Sequence, residues 1–164
     1  MALDSENVYL LLGGNLGDRI KIINDAVRQI EIGIGEVTAR SSVYETEAWG
    51  NTNQPGFLNV ALEVKTILPP LAVLKKALEI EHNLGRVRLE KWGSRLIDID
   101  LIFYGSQIID IADVLQVPHP HMHERKFVLK PLAEIAPDLL HPVFNKSIAT
   151  LLAGLSDHLA VSKI

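Results

Sequence analysis

The apolar residues of this chain switch between strand-like and helix-like spacing in the order strand, helix, strand, strand, helix, strand, and that order limits the fold more than any other feature. VYLLLG, Val8 to Gly13, is a continuous apolar run stopped by glycine and reads as a buried strand. After the turn GGNLGD, Asp18 is placed to cap a helix in which Ile23, Ala26, Val27 and Ile30 recur at helical spacing until the glycines at 33 and 35. Residues 36–47, EVTARSSVYETE, are rich in β-branched types and read as one strand. In FLNVALEVKT, Leu58, Val60, Leu62 and Val64 alternate with Asn59, Ala61 and Glu63, the pattern of a half-buried strand. Pro69-Pro70 opens a second helix with Leu71, Leu74 and Leu78 on one stripe and Ala77, Ile80 and Leu84 beside it, ending at Gly85. WGSRLIDIDLIFYG supplies the last strand of the set.

The order β-α-β-β-α-β predicts an α+β, ferredoxin-like split sandwich, with helices on one face of a mainly antiparallel sheet. QIIDIADVLQVP adds a hairpin, PHPHMHER a loop, Phe127 to Ile135 a helix interrupted at Pro131, and Ser147 the cap of a short last helix with Ile148, Leu151, Leu152 and Leu155. With 164 residues and no repeat or linker, a single domain over residues 1–164 is expected. The fold decides nothing about function, because it carries enzymes, RNA binders and regulatory modules alike.

Charge and composition remove several classes. The balance of 16 basic to 20 acidic residues gives no basis for a nucleic-acid or membrane-surface role. The absence of cysteine excludes disulfide and thiolate chemistry and fits a reducing compartment. MALDSENVYLLLGG is acidic with too short an apolar run for a signal peptide, and no run approaches the roughly 20 residues that span a bilayer, so a cytoplasmic location is expected. Asn145-Lys146-Ser147 has the form of a glycosylation sequon, which carries no meaning without secretion.

Asp98 and Asp100 stand inside an apolar strand, between Ile97, Ile99 and Leu101. Side chains two apart share a face, so the carboxylates point the same way, about 7 Å apart, while Ile97, Ile99, Leu101 and Phe103 point to the core. Such a pair repels itself unless a cation intervenes, and a hard divalent ion is the simplest one; two exposed aspartates on a solvated sheet face are the alternative. Arg86, Arg88, Lys91 and Arg95 crowd the preceding loop and Arg125 lies in a later one, a mixture of cations and carboxylates suited to a polyphosphate. Glu81 falls on the buried stripe of its helix and needs a donor: a nucleotide hydroxyl, an arginine or a structural partner. GGNLGD lacks the Gly-Lys-Ser/Thr of a P-loop. His119, His121 and His123 alternate in a spacing open to zinc, in a proline-containing loop without a defined ligand geometry.

Taken together, GGNLGDR, YET followed by NQPGFLN, GRVR, WGSRLIDIDLIFYG and VPHPHMHERKFVLKPLAEIAP resemble the 6-hydroxymethyl-7,8-dihydropterin pyrophosphokinases of folate biosynthesis. The motifs run in order from Leu10 to Pro142, and WGxRxxDxD with HPxMHER and FLN is a specific combination. The resemblance implies transfer of the β,γ-pyrophosphoryl group of ATP to the pterin hydroxymethyl oxygen, with release of AMP. It implies that Asp98 and Asp100 hold two Mg²⁺ ions. Arg86 and Arg95 would join them as catalytic residues, and Arg88 and Trp92 would lie in a loop over ATP. Glu81, Leu101, His119 and Arg125 would complete the nucleotide site. Phe57 and Phe127 would sandwich the pterin and Asn59 read its polar edge; read without the resemblance, both rings are ordinary core residues. Thr46 and Trp49 would lend backbone hydrogen bonds, and Gly13 would lie under the ring. The partners implied are these small molecules alone, on a monomer. The chain departs from the family pattern in EAWG after Thr46, in a shorter Arg86–Trp92 loop and in Gly13-Gly14 for glycine-serine. Two other readings use the same residues: a ferredoxin-like ligand-sensing module without catalysis, and a metal-dependent phosphohydrolase.

Overall fold

The computed structural model describes residues 4–47, 56–85, 96–156 and 160–164. Its elements in chain order are β1 (Glu6–Gly14), α1 (Arg19–Gly33), β2 (Glu36–Arg40), β3 (Tyr44–Thr46), β4 (Phe57–Thr66), α2 (Pro70–Gly85), β5 (Asp98–Tyr104), β6 (Ile109–Ile111), β7 (Leu115–Val117), a 3-10 turn (Met122–Glu124), α3 (Lys126–Ile135), α4 (Ile148–Ala153) and β8 (Val161–Lys163). The main sheet runs β5-β1-β4-β3-β8, with β2 also on β4, and every pairing is antiparallel. Up to β5 this is the ferredoxin-like arrangement that the order of elements predicts. β6 and β7 form the expected separate hairpin.

Strand alternation splits the core in two. Val8, Leu10 and Leu12 of β1, with Leu58, Val60, Leu62 and Val64 of β4, pack on Ile23, Ala26 and Ile30 of α1 and on Val73, Ala77, Ile80 and Leu84 of α2. The opposite face, with Tyr9, Leu11 and Ala61, packs on Met122, on Val128, Leu129 and Leu132 of α3, and on Ile148 of α4. The tail therefore adds a third layer, and the prediction of helices on one face holds only for α1 and α2. For the same reason Leu58 to Leu62 are all buried, and β4 is not the half-buried strand that alternation suggests.

Four other expectations are corrected. The single strand over 36–47 is two strands, because Ser41 breaks the ladder: its N–H donates to the Ala61 carbonyl while its Oγ accepts from the Ala61 N–H. On α2 the buried stripe is Val73, Ala77, Ile80 and Leu84, whereas Leu71 and Leu78 are about half exposed, at 48% and 49%. α3 is continuous through Pro131, whose missing N–H removes one helical bond; burial of Pro131 together with Val128, Leu129 and Leu132 holds the turn in place. In β5 the register shifts, with Tyr9 opposite Phe103 but Leu10 opposite Leu101. Ile102 and Phe103 consequently both enter the second core layer, and Phe103 does not share the face of Ile99 and Leu101. β8, which extends the sheet beyond β3, has no signal in a three-residue segment of mixed character. The caps follow prediction: Asp18 accepts from the Lys21 N–H and Ser147 from the Thr150 N–H.

His141 anchors the turn between α3 and α4. It is buried, it stacks on Phe144 with ring centroids 4.4 Å apart, and its Nδ1 accepts from the Val143 and Phe144 N–H groups. Burial first, and then the charge of His123, hold its pKa below the usual value. A depressed histidine binds fewer protons folded than unfolded. Stability therefore falls as pH drops below about 6.5 toward the folded pKa, and rises with pH through that window. His141→Asn keeps an acceptor for the two N–H groups and removes the titration; its urea midpoint should decline less than that of the wild type between pH 7 and pH 5.

Candidate active site

The site is built on the face of the sheet opposite α1 and α2. Register places Asp98 opposite Gly13 and Asp100 opposite Leu11, on the far side of β1 from Asn59 and Ala61. Tyr44 pairs with Asn59, and Thr46 with Phe57. Residues directly opposite one another point to the same face, so Asp98, Asp100, Leu11, Gly13, Asn59, Phe57 and Thr46 share one surface. Both aspartates are exposed, while Ile99 between them is buried toward the helices.

Two cavities open on this surface and meet at the carboxylates. The first, about 610 Å³, follows the outer edge of β5 and is bounded by Leu74, Leu78 and Glu81 of α2, by Asp113 to Gln116 of the hairpin, and by His119, Pro120 and Arg125. The second, about 570 Å³, lies over β1, β4 and β3 and is bounded by Leu11, Gly13, Thr46, Glu47, Phe57, Asn59 and Phe127. Asp98, Asp100 and Arg125 line both. Of the residues singled out from sequence, the structure brings together Gly13, Thr46, Phe57, Asn59, Phe127, Glu81, Asp98, Asp100, Leu101, His119 and Arg125. Trp49, Arg86, Arg88, Trp92 and Arg95 lie outside the described residues.

In the first cavity, Glu81 is buried and its Oε2 accepts from the Ile99 N–H at 2.6 Å. This backbone donor is one structural partner of Glu81, and it ties α2 to the β5 edge beside the aspartates. His119 donates its N–H to the Ile102 carbonyl at 3.1 Å, at the point where the β5 register shifts. Its Nδ1 accepts from the His121 N–H at 3.3 Å, which leaves the ring proton on Nε2. Burial, then the charges of Arg125 and His121, lower its pKa, so at neutral pH the ring is an uncharged donor. The described lining carries Glu81, Asp98, Asp100 and Asp113 beside Arg125, so among the described residues acidic groups outnumber basic ones. Among the described residues, the histidine loop included, no group of three or more His, Asp or Glu side chains is placed to hold a metal ion.

The second cavity has the walls of a slot. Phe57 is 45% exposed, unusual for a phenylalanine with a core alternative open to it, and Phe127 carries Arg125 above its ring at 5.7 Å from the centroid. Asn59 is buried and its Nδ2 donates to the Leu12 carbonyl at 3.3 Å, which fixes the carboxamide. A Cβ on Gly13 would overlap that Nδ2, so the glycine gives the amide its place on the floor. Thr46 Oγ1 is buried without a hydrogen-bond partner among the described residues. The wall formed by α3 is held to the sheet by Glu134, which accepts from the Ser42 N–H and hydroxyl and, at 2.6 Å, from the Tyr44 hydroxyl. Burial and this carboxylate push the Tyr44 pKa up to about 12, so the bond persists through neutral pH.

Sequence reasoning passed over Leu74, Leu78, Leu115 and Gln116, which line the first cavity. The signal for the leucines was present: α2 has more apolar positions than one stripe can bury, and the surplus faces a cavity.

Residues 9–137 match the family model for 7,8-dihydro-6-hydroxymethylpterin-pyrophosphokinase. The chain is 43% identical over 141 residues to the 2-amino-4-hydroxy-6-hydroxymethyldihydropteridine pyrophosphokinase of Aquifex aeolicus, covering 86% of this chain and 87% of that one. It is also 43% identical over 157 residues to the folic acid synthesis protein fol1 of Pneumocystis carinii, covering 96% of this chain but 21% of that protein. The solved wild-type HPPK-DHPS of Plasmodium falciparum with STZ-DHP superposes with a TM-score of 0.74 at 16% identity, over 92% of this chain and 43% of that one, and shares the fold. The chain thus spans about a fifth of one of these relatives and under half of another, and most of the Aquifex protein. By the extent of the family match and the identity to the Aquifex enzyme, the chain belongs to the 7,8-dihydro-6-hydroxymethylpterin pyrophosphokinase family.

Proposed function

We propose that the protein transfers the β,γ-pyrophosphoryl group of ATP to the hydroxymethyl oxygen of 6-hydroxymethyl-7,8-dihydropterin. The observation that carries this reading is the junction itself: a slot suited to a flat heterocycle and an elongated cavity meet at one pair of carboxylates and one arginine. A phosphoryl donor and an alcohol acceptor bound on either side of such a junction face each other across it.

In this reading the second cavity takes the pterin. Phe57 and Phe127 supply ring faces, the Asn59 carboxamide a donor and an acceptor, and Thr46 the backbone hydrogen bonds of its segment. The first cavity takes ATP, with Leu74, Leu78, Leu101 and Leu115 against apolar surface and His119 Nε2–H and Arg125 toward the triphosphate. Arg86, Arg88, Trp92 and Arg95 add the cationic and covering groups of the adjoining segment.

Asp98 and Asp100 fit Mg²⁺ by donor type: two hard carboxylate ligands on one face, the remaining positions left to water and phosphate oxygens. Two Mg²⁺ ions held there by Asp98 and Asp100 would offset the charge of the triphosphate. The hydroxymethyl oxygen attacks the β-phosphorus; the bond to the α,β-bridging oxygen breaks, AMP departs, and the alcohol proton is lost to solvent. The protein's own contribution is to orient the alcohol, to hold the donor in line and to stabilise charge.

Incubation with ATP, Mg²⁺ and the pterin alcohol should yield AMP only when the pterin is present. ADP or free phosphate would instead favour a phosphohydrolase, and ligand binding with no turnover a sensing module. Asp100→Ala should lower kcat by about a thousandfold or more with an unchanged circular dichroism spectrum, because the side chain is exposed; near wild-type kcat would remove the metal role. Phe127→Ala should weaken pterin binding by about tenfold while leaving ATP binding within twofold or so; equal losses for both ligands in calorimetry would count against the slot. Gly13→Ala should also raise KM for the pterin by about tenfold, because the added methyl displaces the Asn59 amide.

A further inference from the structure

The motif GGNLGDR touches neither cavity except at Gly13, yet its arginine reaches the frame of the second one. Gly17, with φ of 67°, turns the chain so that Asp18 caps α1 and Arg19 becomes its first residue. From there Arg19 Nη1 donates to Glu45 Oε2 at 2.5 Å and to the Gly56 carbonyl at 2.8 Å. Glu45 lies in β3 and Gly56 immediately precedes β4. One side chain of α1 thus grips both ends of the 47–55 segment from the face away from the slot.

The grip is tight enough to matter for the slot. Thr46 and Phe57, the next residues inward, are register partners and both line the second cavity. The two chain ends approach so closely that a Cβ on Gly56 would stand 2.6 Å from the Thr46 carbonyl and 2.9 Å from Glu45 Cγ. Arg19 and Glu45 keep only 26% and 35% of their side-chain exposure, so the pair is screened less than an ordinary surface ion pair. Its second acceptor is a backbone carbonyl, so the bond holds the chain path itself and not merely a neighbouring side chain.

We propose that Arg19 is a positioning residue for the pterin: its two hydrogen bonds hold the ends of β3 and β4 together and thereby set the placement of Thr46 and Phe57. This rests on the reading of the second cavity as the pterin slot. The role is distinct from binding, since Arg19 lines neither cavity, and it gives the motif a purpose that its non-P-loop sequence does not suggest.

The experiment compares Arg19→Ala, Arg19→Lys and Glu45→Gln with Asn59→Ala, measuring 6-hydroxymethylpterin binding by calorimetry, KM for each substrate, and thermal midpoint. Arg19→Ala should weaken pterin binding by about tenfold, with KM for ATP changed less than about twofold, and Arg19→Lys should recover part of the loss. Glu45→Gln, which retains the bond to Gly56, should give a smaller loss of the same kind and covers the case in which Arg19→Ala does not fold. A lowered midpoint with unchanged pterin affinity in Arg19→Ala and Glu45→Gln, while Asn59→Ala binds weakly, would overturn the positioning role and leave the slot reading intact. If Asn59→Ala also binds pterin normally, the slot reading falls and the positioning role with it.

Discussion

β1 is hydrogen-bonded along both of its edges, to β4 on one side and β5 on the other, and nearly everything else in the protein follows from that double pairing. Pairing on both edges locks register, and a slip of one residue would carry every side chain to the wrong face. With register fixed, Val8, Leu10 and Leu12 must face the α1–α2 layer, and Leu11 and Gly13 the opposite surface. The carboxylates of β5 and the carboxamide of β4 then come into line across β1 without any further instruction. The candidate surface is a by-product of alternation in three strands, which explains how groups from residues 13, 59, 98 and 100 meet without a long loop to bring them together.

The third layer completes this surface and does not merely add stability. In a two-layer sandwich the Asp98–Asn59 face would be open to water along its length. α3 covers part of it, with Val128, Leu129 and Leu132 buried against the sheet, and at its N-terminal end Arg125 and Phe127 line the slot together with the carboxylates. The Glu134 contacts hold that helix against the break between β2 and β3. One end of the face becomes core and the other becomes a walled slot.

The fold was largely legible because alternation and helical spacing are local properties of the sequence. The boundaries of α1, α2 and β4 and both side-chain caps could be read from Asp18, Ser147, Pro70 and Gly85. The misreadings share a cause: each depended on what a distant segment covers. Nothing within FLNVALEVKT announces that α3 buries its second face, and nothing within LIDIDLIFY announces that the register shifts before Phe103. The aspartate pair was legible from spacing alone, as two carboxylates on one face. Its reaction was not, because spacing says nothing of the slot beside it; motifs across the whole chain carried that information. Arg19 was invisible for a related reason, since a fork to Glu45 and the Gly56 carbonyl leaves no local pattern.

The contact between Glu81 and the Ile99 amide has a consequence outside the chemistry. β5 is an outermost strand of the main sheet, and an outermost strand presents a row of amides and carbonyls that another chain can copy. Here the Ile99 N–H is taken by a buried carboxylate and the Ile102 carbonyl by the His119 N–H, so two of the groups a foreign strand would need are already committed. With two of its pairing groups taken, the β5 edge is a poorer template for strand addition even where a cavity opens along it.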